Sequence, residues 1–429
     1  MIKAYLMPHP PIIEPSVGKG RERDAHTTVD AMRRVASEIE AFAPSTIVVV
    51  TPHAGLRSGA LPIYEGALSG DFTAFGSSKS LRVTPAEGLR ARLKATLDLY
   101  GVSVEPVKGA LDHGVMVPLS FIEPSLTRAR VLALGQFGSD FEDNATIGTF
   151  LRSVLLSDPS HTALIISGDL SHKLLESGPY GYDPRGPQFD GGVTRAIETG
   201  DLASLGRLDP SIVKHAGECG YRGLGMLKGV LSTYARSVTL HSYEGPFGVG
   251  YAVASFNLKD EASVPALARR AIETRMLSEN GEMADHLHAE AVQGDAPCFV
   301  TLKKNGHLRG CIGTIQKTGE SLRKNIIASA RAAAFEDPRF SPLSQGELRE
   351  ITLSVDVLGE PRRIEDLCTQ DPSIHGLIVK SGARSGVLLP GITGIDTAQK
   401  QWEAVLKKAE ISPGEPLIME RFEVVRYNE

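Results

Sequence analysis

The sequence predicts an α/β domain, with a central, mostly parallel sheet flanked by helices, followed by an α+β domain. Three observations carry this expectation. Strand-like and helix-like segments alternate through the first half of the 429 residues. The second half carries a hairpin signal and strand pairs without that βαβ rhythm. A short charged segment, Leu258-Lys259-Asp260-Glu261-Ala262-Ser263, lies between the two. Domains are therefore expected over residues 1–257 and 264–429, joined by a linker at 258–263.

In chain order, Ile2–Met7 is a short apolar run that ends at a proline-rich loop. Thr28–Ala43 has helical spacing, with Met32, Val35, Ile39 and Phe42 on one side. Thr46–Val50 is β-branched and almost wholly apolar, the pattern of a strand buried on both faces. Glu87–Tyr100 reads as helix, Arg130–Leu134 as strand, Ile147–Leu156 as helix and Ala163–Ser167 as strand. Helices over Asp190–Thr199 and Tyr221–Tyr234 and strands at Thr239–Tyr243 and Gly250–Asn257 complete the first domain.

The second domain is expected to open with a helix, Val264–Ser278. Cys298–Lys304 and His307–Cys311 flank Asn305-Gly306, a strong hairpin signal because both turn positions favour positive φ. Leu322–Phe335 and Thr397–Ala409 read as helices, and Ile351–Val357, Gly376–Val379 and Gly386–Leu389 as strands.

Composition narrows the function classes. Net charge is −5 and pI about 6.2, without the basic balance of a nucleic-acid binder. No stretch approaches about 18 consecutive apolar residues, so no membrane span is expected. The N-terminus enters a strand without the features of a signal peptide, and the four cysteines show no Cys-x-x-Cys pair. A reduced, cytoplasmic protein is the expectation.

Chemistry-bearing side chains recur in short punctuated segments of the first half. His9 stands in Pro8-His9-Pro10, His53 in Thr51-Pro52-His53-Ala54-Gly55, and Glu218 in Gly217-Glu218-Cys219-Gly220. Two histidines and a carboxylate form the ligand set of a non-heme Fe(II) oxygenase. His113 follows Asp112, and His172 closes Gly168-Asp169-Leu170-Ser171-His172. His9, His53 and His172 follow strands, and open α/β sheets bind ligands outside the carboxyl ends of their strands. Asp169 is expected to orient a histidine, with a helix N-cap as the plainer role. Asp112, His215 and Tyr251 are candidates for the pocket or its support, and the loop with Tyr180, Tyr182, Asp183 and Arg185 for a lid or plain surface.

These motifs, together with Asp112-His113-Gly114-Val115-Met116-Val117-Pro118-Leu119, resemble the series found in class III (LigB-type) extradiol ring-cleavage dioxygenases. The resemblance spans roughly residues 1–257 in the family's order, and the Memo proteins share that fold. It implies His9, His53 and Glu218 as ligands of Fe(II), with His113 and His172 as the acid/base pair. The implied substrates are O2 and a small catechol-like or aminophenol-like aromatic. In Memo-type relatives a cysteine beside a glycine fills the third ligand position, so Cys219 is the alternative to the preferred Glu218. A thiolate there would favour zinc or copper over iron.

The second half carries His307-Leu308-Arg309-Gly310-Cys311-Ile312-Gly313-Thr314, which is similar to the AMMECR signature, with Ala334–Phe340 and Leu388-Leu389-Pro390 in support. Arg309 and Cys311 are its candidate functional residues. Arg309 would bind an anionic group or pair with Glu336 or Asp337, and Cys311 would be either a reactive thiol or a buried strand cysteine. The combination resembles the AmmeMemoRadiSam set, which implies a radical-SAM protein as partner. The class III resemblance implies a homodimer.

Overall fold

The protein's structure is a computed structural model that describes all residues except 56–58, 139, 157, 159, 232–234, 259–262, 278–291 and 393. Two compact units divide the chain between Ala262 and Ser263. The core of the expected linker, 259–262, lies outside the described residues, as do the expected ends of the helices reaching Tyr234 and Ser278. No helix among the described residues is long and apolar enough to cross a membrane.

The first unit is built on one mixed sheet. Its strands are β1 (Ile2–Met7), β2 (Thr46–Thr51), β3 (Ala60–Tyr64), β4 (Leu68–Asp71), β5 (Ser80–Pro85), β6 (Ser103–Val107), β7 (Arg130–Gly135), β8 (Thr162–Ser167), β9 (Ala235–Glu244) and β10 (Tyr251–Leu258). The order is β4-β5-β7-β2-β8-β1-β10-β9, with β3 paired to β7 and β6. The central strands β7, β2, β8 and β1 run parallel, whereas β10 and β9 run antiparallel at one side. Every residue of β2 and β8 is buried, as expected for β-branched apolar strands covered on both faces. Helix His26–Phe42 packs on β9 and β10, and Tyr221–Leu231 packs on β8 and on helix Phe141–Leu156.

Because β2, β8 and β1 are parallel neighbours, their carboxyl ends emerge side by side. Met7 of β1 pairs with Ser167 of β8, and Val50 of β2 with Ile166. His9, His53 and Asp169 each follow two residues after one of these strands. This is the edge where an open α/β sheet binds its ligand.

The second unit carries an antiparallel sheet of β11 (Cys298–Lys304), β12 (His307–Gly313), β13 (Ile351–Leu358), β14 (Arg362–Ile364), β15 (His375–Ser381), β16 (Arg384–Leu388) and β17 (Ile418–Asn428). The order is β12-β11-β13-β17-β15-β16, with β14 on β17. Asn305 and Gly306 turn the expected hairpin with φ of 51° and 79°, the positive values a two-residue turn of this hand requires. Helices Leu322–Phe335 and Ala398–Ala409 pack on β11–β12 and on β15–β16.

Candidate metal centre

The site is assembled by three short connections that leave the sheet and are laced together. The backbone N–H of His9 donates to Asp169 Oδ1 at 2.8 Å, which ties the β1 exit to the β8 exit. Cys219 and Gly220 donate their N–H groups to the Asp169 carbonyl at 3.3 and 3.0 Å. Asp169 N–H returns a bond to Cys219 Sγ at 3.2 Å. Gly168 and Gly220 make this possible: a Cβ on Gly168 would stand 2.4 Å from Gly220 Cα, so no other residue admits the approach.

One hydroxyl fixes the His9 ring. Ser167 Oγ lies 2.9 Å from His9 Nδ1 and 2.5 Å from the Gly114 carbonyl. Its single proton goes to the carbonyl, so Nδ1–H must be the donor to Ser167, leaving the lone pair on Nε2. That Nε2 faces His53 Nε2 at 3.0 Å and Cys219 Sγ at 3.6 Å. Burial holds the His9 imidazole well below its ordinary value, so it stays neutral.

His53 and His113 are positioned through Asp112. Its carboxylate accepts from Thr51 Oγ1 and Tyr64 OH at 2.8 Å each, and it caps helix His113–Phe121 by accepting from Val115 N–H. His53 N–H donates to Thr51 Oγ1 at 3.2 Å. The His113 ring stacks on His53 with centroids 4.2 Å apart and planes 28° apart, whereas His9 and His53 lie at 81°.

Two sets of side chains bring their ligand atoms within 4.8 Å of one another: His9, His53 and His113, and His9, Asp169 and Cys219. Imidazole lone pairs lie in the ring plane. His9 stands edge-on to both His53 and His113, at 81° and 75°, and each of the three rings brings a nitrogen to the same place. Glu218 belongs to neither set and does not meet the expectation for a third ligand. Its carboxylate accepts from Tyr221 N–H at 2.5 Å at the start of helix Tyr221–Leu231, and its neighbour Cys219 faces His9.

A cavity of about 670 Å³ opens over these groups. His9, His53, His113, His172, Asp169 and Tyr251 line it, with Ile12, Leu175, Phe247 and Val249 as apolar wall. His172 Nε2 is buried with no hydrogen-bond partner among the described residues, and its ring lies 5.1 Å from that of Tyr180. Burial first, with the neighbouring histidines' charge, lowers His113 and His172 to about 4. Burial raises Asp169 to about 7, against the His9 N–H bond that lowers it. Cys219 is only partly exposed, and burial pushes its thiol well above the ordinary range.

A family model described as the catalytic LigB subunit of aromatic ring-opening dioxygenase matches residues 3–254, and the AMMECR1 model matches 265–429. The chain belongs to the LigB family, with an AMMECR1 domain behind the LigB unit. A curated protein from Clostridium acetobutylicum is 34% identical over 99% of this chain and 98% of its own length, so it shares both halves. One from Thermotoga maritima is 44% identical over 31% of this chain and 77% of its own. A solved structure of an uncharacterized Escherichia coli K12 protein covers 60% of this chain and 100% of that one at 15% identity, with a TM-score of 0.43.

In the LigB unit, His215 departs from the pocket expectation. It bonds the Ser211 carbonyl of its own helix at 2.8 Å and does not line the cavity. Asp112 sits behind the histidines rather than in the cavity wall, and Asp169 caps no helix, since the next one begins at Arg185. Sequence reasoning assigned no role to Ser167 or Tyr64. The motif around Ser167 quoted the residue, but only its pairing with Met7 shows that it reaches His9.

In the AMMECR1 unit, Arg309 pairs with Glu347 at 2.9 and 3.0 Å, not with Glu336 or Asp337. Asp337 instead holds Arg339 and accepts Cys311 N–H at 2.9 Å. Cys311 is partly exposed, and its sulfur accepts from Thr301 Oγ1 at 3.3 Å; the buried strand cysteine is Cys298.

Proposed function

We propose that the LigB unit is a metal-dependent enzyme that opens a catechol-like or aminophenol-like aromatic with O2, its ion held by His9, His53 and Cys219. The observation that carries this is the His9–His53 Nε2 pair at 3.0 Å, with Cys219 Sγ 3.6 Å from the first, beside a cavity that His113 and His172 also line. His9 Nε2 is common to both sets of converging ligand atoms, with His53 in one and Cys219 in the other. The Ser167 bond leaves the His9 Nε2 lone pair free, and Cys219 keeps its proton until a cation displaces it.

The ion would supply Lewis acidity and, as iron, the one-electron steps that O2 chemistry needs. The chain's own side chains do the rest. His172 is neutral at physiological pH, and its unpartnered Nε2 is the atom that takes a proton from a ring hydroxyl. The proton returned as the ring opens is the one His172 took, with His113, also neutral, as a hydrogen-bonding partner beside the ring. Ile12, Leu175, Phe247 and Val249 keep water from the reacting face. Asp112 and Ser167 hold the rings in place from behind.

Cys219 itself favours a second reading. A thiolate suits zinc or copper better than Fe(II), and such a centre would serve as a metal-binding scaffold without oxygenase activity. One experiment separates the two: metal content and O2 uptake of anaerobically purified, Fe(II)-reconstituted protein offered catechols and aminophenols. Stoichiometric iron with a ring-opened product supports the enzyme. Tightly held zinc or copper with no O2 uptake supports the scaffold. In either case Cys219→Ala should empty the site and Glu218→Gln should not; the reverse result would remove Cys219 from the ligand set.

A further inference from the structure

The AMMECR1 unit holds a cavity of its own, about 270 Å³ in volume. It lies on one face of the β15–β17 ladder. Leu377 and Val379 of β15 pack with Val405 and Leu406 of helix Ala398–Ala409, so Ile378 and Lys380 point to the opposite face. Glu420 of β17 is the register partner of Ile378 and shares that face. Three connections wall the cavity: residues 295–297 before β11, 315–317 after β12 and 359–361 after β13. Its floor is apolar, because Leu358 and Ile378 are buried in one cluster with Phe422.

The charged side chains around this floor do not balance. Lys317 Nζ lies 2.5 Å from a Glu360 carboxylate oxygen, and Lys380 Nζ 2.8 Å from one of Glu420. Each ammonium is thus matched by its own carboxylate, and Asp295, the fifth charged residue of the lining, is left over. Its Oδ2 accepts the Gly319 N–H at 3.2 Å, but its Oδ1 is buried with no hydrogen-bond partner among the described residues. Lys317 feels the Asp295 charge as the least of the effects on it, behind its bond to Glu360. A carboxylate oxygen cut off from water without a donor costs free energy, and a donor brought by a ligand recovers it.

A surplus carboxylate above an apolar floor selects a cation with a hydrocarbon body. The volume keeps that body small, since pockets for drug-sized ligands begin at about 300 Å³. An ammonium, with three donors on one nitrogen, suits a single oxygen better than the two-pronged guanidinium fork does. We propose that this cavity binds a small organic ammonium compound, with Asp295 meeting its charge and Ile315, Leu358 and Ile378 holding its hydrocarbon stem. The site belongs to the AMMECR1 unit and does not depend on the chemistry proposed for the LigB unit.

The test is a melting titration of the full-length protein, followed by the fluorescence of Trp402 in the same unit. Pentylammonium chloride and pentan-1-ol are the probes, alike in length and different in charge, with sodium chloride at equal concentration as the blank. A ligand at about ten times a Kd of about 1 mM should raise the melting temperature by roughly 3–5 °C; pentylammonium should do so and pentan-1-ol should not. Ethylammonium should bind at least about tenfold more weakly, because each buried methylene removed costs roughly three- to fourfold. Asp295→Asn keeps an oxygen for the Gly319 N–H and should lose the pentylammonium shift while melting near the wild-type temperature. Ile315→Ser, at a partly exposed position, should weaken pentylammonium and narrow its lead over ethylammonium. Equal shifts from pentylammonium and pentan-1-ol, no shift from either, or a shift that survives in Asp295→Asn would each overturn the inference.

Discussion

In the LigB unit the motif histidines converge with bonds left open, whereas in the AMMECR1 unit the motif arginines close on neighbouring carboxylates. His172 Nε2 is buried without a partner, and the lone pair of His9 Nε2 faces a second imidazole nitrogen. In the other unit Arg309 is held by Glu347 and the Ser341 carbonyl, and Arg339 by Asp337 and the Cys311 carbonyl. An unpaired buried polar atom costs free energy, so a fold that keeps several together leaves them for a ligand. A closed network of the same residue types supports architecture. The contrast supports the chemistry proposed for the first motif series and, for Arg309, a structural role in the second.

The sharpest way to break this contrast is to remove one open atom and one closed one. His172→Ala should cost about 10²–10⁴-fold in ring-opening turnover with metal content retained, the usual contribution of a positioned acid/base group. Loss of metal in parallel would make His172 a ligand or a support instead. Asp337→Ala should act on stability alone. Asp337 is buried and engages the half-exposed Arg339 and the partly buried Cys311 N–H, so its removal leaves one partly buried donor unpaired at a cost of about 1 kcal/mol. The chain's one tryptophan, Trp402, lies in the AMMECR1 unit, so its fluorescence reports that unit's melting directly. A fall of roughly 2–4 °C per kcal/mol is expected, with turnover unchanged. Lost turnover with unchanged melting would move Asp337 from architecture to function.

What the sequence made legible follows the same physics. The buried parallel strands announced themselves because β-branched apolar runs have little else to do, and His9 and His53 were found because they follow such runs. Strands β3 and β6 were missed because Pro62 and Pro106 interrupt them; β6 tolerates its proline with β3 as its one sheet neighbour. Strand β17 was missed because Glu420, Arg421, Glu423 and Arg426 interrupt its apolar residues and much of it is exposed. The helix His113–Phe121 was hidden by Pro118 inside it. Spacing left Glu218 and Cys219 open as alternatives because they are adjacent. What turns Cys219 toward His9 is a backbone detail, Gly217 at φ 64° and Gly220 pressed on Gly168, that no residue count reveals.

Acid separates the closed network from its surroundings by a smaller but signed effect. The Arg309 guanidinium bonded to Glu347 lowers that carboxyl from 4.5 to about 2, and Arg339 holds Asp337 well below the usual carboxylate range. Both acids have folded-state values below their unfolded ones. The unfolded chain therefore takes up protons first, and the stability they contribute is complete above about pH 4.5 and lost as pH falls toward 2. Trp402 fluorescence should show the AMMECR1 unit melting at progressively lower temperature across that window. Arg309→Gln should make the dependence shallower, because Glu347 then moves toward its ordinary value while Asp337 keeps its share. An unchanged slope in Arg309→Gln would mean that the acid sensitivity of this unit lies outside the Arg309–Glu347 pair.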